Sequence, residues 1–410
     1  MERSFKKEIE ALKLGQGEVF RGEGILAVTK ALLQSGVSYV GGYQGAPVSH
    51  LLDVLVEAED MMSELGVHLE TCTNEASAAA MLGASINYPL RGAVTWKSIV
   101  GTNVASDALS NLASPGVKGG ALIILGEDYG EGASVIQERS HAFAMKSSIW
   151  LLDPRPDLPT IVRLVENGFA LSEASHSPVM MELRIRACHV SGEFVAKDNV
   201  RAQHSRLTPL APARFDYGRL SHPPATFAQE KLKLEQRLPA AQAFIRAERL
   251  NEVFAGDIAE LGIVVQGGLY NTLLRGLMRL GLADVFGTAR VPIYVLNAVY
   301  PLVPAEVTEF CAGKRAVLVV EEGFPDYIEQ QVNVILRRAN LNTRVFGKGA
   351  LPAAGEYNAE ALLGGLAAFI AETRPAGVDA DAVAAEAERL RTHKRAAAIA
   401  VGELPARPPS

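Results

Sequence analysis

The sequence has few cysteines, and their spacing excludes several kinds of site. Its 410 residues contain only Cys72, Cys188 and Cys311, which form neither a disulfide framework nor a C-x-x-C metal motif. Three scattered thiols also cannot hold an iron–sulfur cluster within this chain. This cysteine usage is typical of a protein from a reducing compartment, and we expect a cytoplasmic location.

The sequence also lacks a basic surplus and a long apolar run. The net charge is −6, so nothing favours nucleic acid or an anionic membrane as a partner. The longest apolar runs, such as residues 121–125, are too short to span a bilayer, and residues 1–18 are charged throughout, unlike a signal peptide. With 48% hydrophobic and 21% charged residues, the composition predicts a soluble globular protein with room for two or three domains.

Short apolar segments alternate with helical segments in two parts of the chain, which predicts an α/β fold with a parallel sheet covered on both faces. The expected strands of the first part are residues 37–40, 67–70, 93–96, 121–125 and 179–183. The helices expected between them include residues 49–65, 98–112 and 136–145. Those of the second part are residues 262–265, 293–296, 316–320 and 343–346. A proline-rich and charged segment lies between the two parts and is typical of a connector.

Ligands of open α/β sheets bind at loops beyond the carboxyl ends of strands. The Gly/Pro-rich loop 41–47 lies after one predicted strand, where its glycines would let backbone approach a ligand, although a plain strand-to-helix turn explains it equally well. Asn74 and Glu75 lie after the next strand, before a helix of small residues. Asn74 is a candidate N-cap, and Glu75 either suits the first helical turn or bonds a ring nitrogen of a flat ligand.

Two further groups lie after later strands. Loop 126–132 contains Glu127, Asp128 and Glu131, which would suit Mg²⁺, but a solvated loop is the favoured interpretation. Lys97 directly follows another predicted strand, at the start of the next helix, and could face a ligand or solvent. His50 and His141 have no second histidine at ligand spacing, so a structural or solvent-facing role is favoured over metal binding for both.

Taken in order, these segments resemble a known family. The motifs GYQGAP, TNEASAAAMLGAS, TWKSIVGTNVASDALSNL and GGALIILGEDYGEGASVIQERS resemble the thiamine diphosphate (TPP) pyrimidine domain of indolepyruvate ferredoxin oxidoreductase alpha subunits. The segments VVEEGFPDYIEQQV and GKGALPAAGE resemble the family's transketolase C-terminal-like domain. The resemblance covers roughly residues 18–375.

The resemblance implies a domain organisation. It predicts a TPP pyrimidine-binding domain over residues 1–195, a connector over 196–245 and a transketolase C-terminal-like α/β domain over 246–375. Residues 376–410 would form a helix and linker toward a TPP diphosphate-binding domain, because residues 406–410 resemble the stretch that precedes that domain in the family. The domain itself is not expected within these residues, because Ala255-Gly256-Asp257-Ile258 does not match its G-D-G pattern. We therefore expect this chain to be part of a longer polypeptide, or one subunit of a split enzyme.

The resemblance also implies a set of site residues. Glu75 matches the catalytic glutamate that hydrogen-bonds N1′ of the TPP aminopyrimidine and favours the tautomer that takes up the thiazolium C2 proton. The expected cofactor-binding residues are Tyr43, Gln44, Gly45, Ala46, Pro47, Glu75, Lys97 and Asn103. The family's K-x-x-G-x-N-x-A-x-D segment has one extra residue here between Lys97 and Gly101. Ala46 replaces a threonine of the usual loop, and Ser98 replaces a histidine.

By this resemblance, the complete enzyme oxidatively decarboxylates an arylpyruvate such as indolepyruvate to an aryl-acetyl-CoA, with ferredoxin as electron acceptor. TPP would be bound partly by this chain, Mg²⁺ by the diphosphate domain or a partner, and [4Fe–4S] clusters outside this chain. We expect a homo-oligomer or a hetero-oligomer, inactive without the diphosphate domain. The alternatives are a subunit acting on 2-oxoglutarate or a branched-chain 2-oxoacid, and a non-catalytic assembly subunit of the same fold.

Overall fold

A computed structural model describes residues 4–129, 136–208, 210–214 and 216–396. Its strands are β1 (Val19–Glu23), β2 (Tyr39–Gly42), β3 (His68–Thr71), β4 (Gly92–Lys97), β5 (Ala121–Gly126), β6 (Trp150–Leu152), β7 (Val179–Leu183), β8 (Ser191–Val195), β9 (Glu252–Phe254), β10 (Leu261–Gln266), β11 (Ile293–Leu296), β12 (Ala298–Tyr300), β13 (Ala316–Val320) and β14 (Arg344–Phe346).

The helices lie between these strands and cover their faces. They are α1 (Gly24–Gln34), α2 (His50–Glu57), α3 (Glu59–Leu65), α4 (Glu75–Met81), α5 (Ala84–Asn87), α6 (Val100–Val104), α7 (Ser106–Ala113), α8 (Ser140–Ser147), α9 (Leu158–Ser175), α10 (Ile185–Cys188), α11 (Ala225–Leu232), α12 (Leu238–Ala247), α13 (Tyr270–Arg279), α14 (Pro304–Cys311), α15 (Tyr327–Arg338), α16 (Ala359–Thr373) and α17 (Ala380–Ala396). No helix within the described ranges is long and apolar enough to cross a membrane.

The first sheet has seven strands in the order β12-β6-β7-β5-β4-β2-β3. The pairs from β6 to β3 are parallel, and only β12 runs antiparallel, against β6. Every residue of β5 and β7 is buried, as expected for central strands with helices on both faces. The α/β fold predicted from the alternating pattern is therefore confirmed.

A second sheet has the order β14-β13-β10-β11-β9, with only β9 antiparallel. Strands β10, β11 and β13 consist almost wholly of apolar residues and are buried along their length. Strand β12 follows β11 after a single residue, yet it pairs with β6 and so extends the first sheet. The two sheets are thus joined by the backbone as well as by side chains.

Some predicted boundaries are wrong. The helices expected over residues 49–65 and 98–112 are each divided, at Ala58 and at Ala105. The helix expected from residue 136 begins at Ser140, whose backbone N–H donates to the Glu127 carboxylate at 3.0 Å. A carboxylate brought from another loop caps this helix, and local sequence does not reveal such a cap.

Candidate functional site

The carboxyl ends of the parallel strands lie along one edge of the first sheet, which has two different halves. The open half consists of the loops after β2, β3 and β4, at residues 43–47, 72–75 and 97–103. The closed half consists of the ends of β5, β6 and β7 with their loops and of the start of α8, at residues 127–129, 139–141, 153–157 and 182–184. Every predicted cofactor-binding residue lies in the open half.

Glu75 is the first residue of α4, and its side chain is turned inward. The preceding Asn74 caps the helix, because its Oδ1 accepts the backbone N–H of Ser77 at 2.9 Å, as predicted. Glu75 is only 8% exposed and lies against Gly101 of α6. Within the described residues, its carboxylate receives no hydrogen bond. Buried polar groups normally have partners, so this carboxylate fits a ligand that donates a hydrogen bond.

The loop after β2 lies on Lys97, the last residue of β4. A methyl group at Gly45 would be 2.5 Å from Lys97 Cβ and 2.7 Å from its backbone nitrogen, so only glycine allows this approach. Lys97 Nζ donates to the carbonyl oxygen of Ala46 at 3.0 Å. The loop and the lysine therefore form one unit in the open half.

Other predicted residues of the open half make different contacts. Gln44 Nε2 donates to Asp53 Oδ1 on α2 at 2.8 Å. The Tyr43 ring is 43% exposed, while its backbone N–H bonds the carbonyl of Thr95 at 3.0 Å. Asn103 is exposed, and its amide makes a long 3.4 Å contact to Glu138. The structure thus brings the loop together with Lys97, and places the Asn103 side chain on the surface.

In the closed half, the acidic loop after β5 is neither solvated nor arranged for a metal in its described part. Glu127 is 5% exposed and accepts hydrogen bonds from the Ser140 N–H and the Tyr129 hydroxyl. Asp128 Oδ1 accepts the backbone N–H of Ile185 at 2.9 Å. Residues 130–135, which include Glu131, lie outside the described residues. No group of His, Cys, Asp or Glu in the described ranges is arranged to hold a metal ion.

Two buried ion pairs join the closed half to the second sheet. Arg139, just before α8, donates to Glu321 Oε1 at 2.5 Å, and both side chains are almost fully buried. Arg184, just after β7, bonds Glu322 and lies 3.4 Å from Asp153 Oδ2. Removing one member of such a pair would leave an uncompensated buried charge, so both members must stay together and the pairs fix the position of one sheet against the other.

Burial shifts the titration of two further groups in the closed half. Burial, reinforced by the nearby charges of Glu127 and Asp153, raises the pKa of the Glu182 carboxyl well above its usual range. Burial and the charge of Arg139 lower the pKa of His141 well below its usual value. His141 is therefore neutral at pH 7 and lies in the core, which is the structural one of the two roles expected for it.

Sequence reasoning missed the ion pairs of the closed half. Arg139 and Glu321 are 182 residues apart, and Arg184 and Glu322 are 138 apart. The available signal was that Arg184 follows one buried strand directly and that Glu321-Glu322 follow another. Charged residues directly after buried strands indicate a shared edge, but do not show which residues will pair.

Comparison with known proteins agrees with this architecture. No family model matches the chain. The chain is 30% identical over 339 residues to indolepyruvate oxidoreductase subunit IorA of Methanothermobacter thermautotrophicus, covering 82% of this chain and 52% of that protein. It is 24% identical over 353 residues to the Pyrococcus abyssi protein of the same name, covering 86% and 52%. The chain thus spans about half the length of these curated relatives.

A solved structure shares the fold. It is 2-oxoglutarate:ferredoxin oxidoreductase from Magnetococcus marinus, with 2-oxoglutarate, coenzyme A and succinyl-CoA bound. The TM-score is 0.62 at 17% sequence identity, and the match covers 83% of this chain and 64% of that one. The resemblance inferred from the motifs is therefore confirmed: over most of its length, this chain is similar to about half of an indolepyruvate oxidoreductase subunit IorA.

Proposed function

We propose that this chain supplies the aminopyrimidine half of a TPP site in a 2-oxoacid:ferredoxin oxidoreductase that acts on arylpyruvates such as indolepyruvate. The observation that carries the proposal is the Glu75 carboxylate. It is buried at the carboxyl edge of a parallel sheet and has no hydrogen-bond partner among the described residues. The chain that carries Glu75 has relatives named indolepyruvate oxidoreductase subunit IorA.

The surroundings of Glu75 suit a flat nitrogen heterocycle. Leaving a buried carboxylate without a donor is costly, and a hydrogen bond to a charged group contributes about 1.5–3 kcal/mol. Helix α4 behind Glu75 is rich in alanine, and Ser77 and Ala80 are exposed on it. Such small side chains leave room for a ring to approach. The residues present therefore fit the aminopyrimidine of TPP.

TPP, when bound, supplies the carbon nucleophile that adds to the 2-oxo group of the substrate. Glu75 would hold the proton at N1′ of the pyrimidine and thereby set the tautomer that accepts the C2 proton. Lys97 carries a positive charge at the end of β4, beside the loop expected near the substrate, where it would attract the carboxylate of a 2-oxoacid. Residues 43–47 would shape that end of the site.

The remaining components of the reaction belong elsewhere in the proposed enzyme. No metal-binding group occurs in the described ranges, so Mg²⁺ would be held by a diphosphate-binding domain, in the same polypeptide or in a partner. The [4Fe–4S] clusters would also lie outside this chain, with coenzyme A and ferredoxin as the other reactants. A TPP site shared between two domains requires an oligomer or a longer chain, and this chain alone would be inactive.

The experiment is turnover of the complete enzyme carrying Glu75→Gln. We expect a loss of at least about 100-fold, the usual contribution of a positioned acid–base group. Glu59→Gln is the matched control, because Glu59 is also a first-turn glutamate but is exposed on the neighbouring helix α3, and it should retain normal turnover. Near-normal turnover of Glu75→Gln would refute the role of Glu75.

Substrate class is tested separately, by a panel of 2-oxoacids on the wild-type enzyme. Arylpyruvates should give the highest kcat/KM. A preference for 2-oxoglutarate or a branched-chain 2-oxoacid would overturn the arylpyruvate assignment while leaving the TPP role of Glu75 intact.

A further inference from the structure

We infer that Gly101 is a positioning residue for Glu75: the missing side chain at position 101 creates the space in which the Glu75 carboxylate lies. The steric relation stands on the structure alone. Its consequence for cofactor binding rests on the proposed function.

The distances around Gly101 show how little space is available. A methyl group on its Cα would lie 2.8 Å from Glu75 Cγ and 3.0 Å from Glu75 Oε1. The same methyl would lie 2.5 Å from Cδ1 of Trp96. Carbon atoms in contact normally stay about 3.5–4.0 Å apart, so a side chain at position 101 would force either Glu75 or Trp96 to move.

Trp96 is the more firmly held of the two. It is fully buried in β4, which is paired on one side with β2 and on the other with β5. Its indole Nε1 also donates to Thr102 Oγ1 at 3.2 Å. Glu75, by contrast, begins a helix and receives no hydrogen bond to its carboxylate from the described residues. A side chain at 101 would therefore displace the carboxylate first.

Backbone conformation does not explain the glycine. Gly101 lies within helix α6, and it is absent from the positive-φ residues of the described chain. A glycine inside a helix is less favourable than alanine at the same position. The structure thus accepts a weaker helix former where its only visible benefit is space for Glu75 and Trp96.

The test is a double-mutant cycle on the thermal unfolding of this chain, without cofactor. Gly101→Ala should lower Tm. In the Glu75→Ala background the clash with Cγ and Oε1 is gone. The loss of Tm caused by Gly101→Ala should therefore be smaller there than in wild type, by at least about 2 °C. Equal losses in both backgrounds would overturn the inference, since Trp96 alone would then account for the clash. If Gly101→Ala does not fold alone, folding of the double variant supports the inference and failure of both contradicts it.

Two other glycines serve as matched controls. Gly262 in β10 is also crowded, because a methyl there would lie 2.9 Å from both Lys314 Cδ and Phe310 Cε1, but these residues lie in α14 and just before β13, beside the second sheet. Gly364 in α16 has open space, with no heavy atom within 4 Å of an added methyl. Gly262→Ala should lower Tm equally in both Glu75 backgrounds, and Gly364→Ala should not lower it in either.

Cofactor binding by the complete enzyme separates this inference from the proposed function. Gly101→Ala should raise the TPP concentration needed for half-maximal activity at least tenfold and lower the rate at saturating TPP. Gly262→Ala should change neither. If the Tm cycle shows coupling but Glu75 variants bind TPP normally, the steric relation stands and the proposed function fails. If Glu75→Gln loses TPP binding but the Tm cycle shows no coupling, the inference fails alone.

Discussion

The two halves of one sheet edge treat carboxylates in opposite ways. In the closed half, Asp153, Glu321 and Glu322 are buried against Arg139 and Arg184, so their charges hold the second sheet against the first. In the open half, Glu75 is 8% exposed, against 1–2% for those three acids, and has no hydrogen-bond donor among the described residues. Carboxylates at strand ends can therefore stabilise a domain interface or remain available to a ligand, depending on what the rest of the fold provides.

The comparison has a physical basis in desolvation. Moving an ion into the interior costs several kcal/mol, which the closed half offsets with buried ion pairs. In the open half no described residue donates a hydrogen bond to Glu75, and the carboxylate keeps only a small contact with solvent. A carboxylate that lacks protein partners in this way is typical of functional sites, where a ligand supplies the missing hydrogen bond.

The largest expected effect comes from breaking the closed half. Arg184→Met would leave Glu322 and Asp153 buried without their cation and should reduce the free energy of unfolding by about 3–5 kcal/mol. Urea denaturation measures this. Arg374→Met is the control, because its pair with Asp381 is exposed, with 65% and 80% of the two side chains accessible, and it should cost at most about 1 kcal/mol. Equal costs for the two variants would erase the distinction between the halves.

An intermediate effect is expected from pH, through His141. Since burial lowers its pKa in the folded state, the unfolded chain takes up the proton first, and stability falls as pH drops through the unfolded value. Between pH 7 and pH 5 the loss should reach about 2 kcal/mol, for an unfolded pKa of about 6.5. His141→Gln should remove this part of the acid dependence. An unchanged slope between pH 7 and pH 5 in the variant would contradict the assignment.

Prediction from the sequence succeeded where the signal was local. Strands β5, β7, β11 and β13 were found to within a residue, because each is a short apolar run bounded by loops. Strands β6 and β12 were missed, since three-residue strands give no periodicity, and β12 pairs with a strand almost 150 residues earlier in the chain. The antiparallel pair of β1 and β8 was missed because its strands lie far apart in the chain, with Arg21 opposite Glu193.

The same division holds for the site. Asn74 and Glu75 were recognised because a cap and a first-turn acid directly follow a strand. The contact between Glu75 and Gly101 was not, because it joins two helices and the spacing of the lysine–glycine motif departs from the family pattern. The burial of Glu127 was also missed, since an acidic, glycine-rich loop looks solvated until the capping of α8 is seen.

The smallest expected effect on stability comes from the open half. Glu75→Gln in the cofactor-free chain removes a buried charge that has no described partner, so the free energy of unfolding should stay within about 1 kcal/mol of wild type or increase. Urea denaturation under the conditions used for Arg184→Met provides the measurement. A loss of several kcal/mol would mean that Glu75 stabilises the fold as the acids of the closed half do.

The most direct test of the central claim is the affinity of the complete enzyme for TPP, measured by calorimetric titration in the presence of Mg²⁺. Wild type should bind, and Glu75→Gln should bind at least about tenfold more weakly, which corresponds to the loss of one hydrogen bond to a charged group of about 1.4 kcal/mol or more. Equal affinities for the two proteins would contradict the claim that Glu75 holds the aminopyrimidine ring.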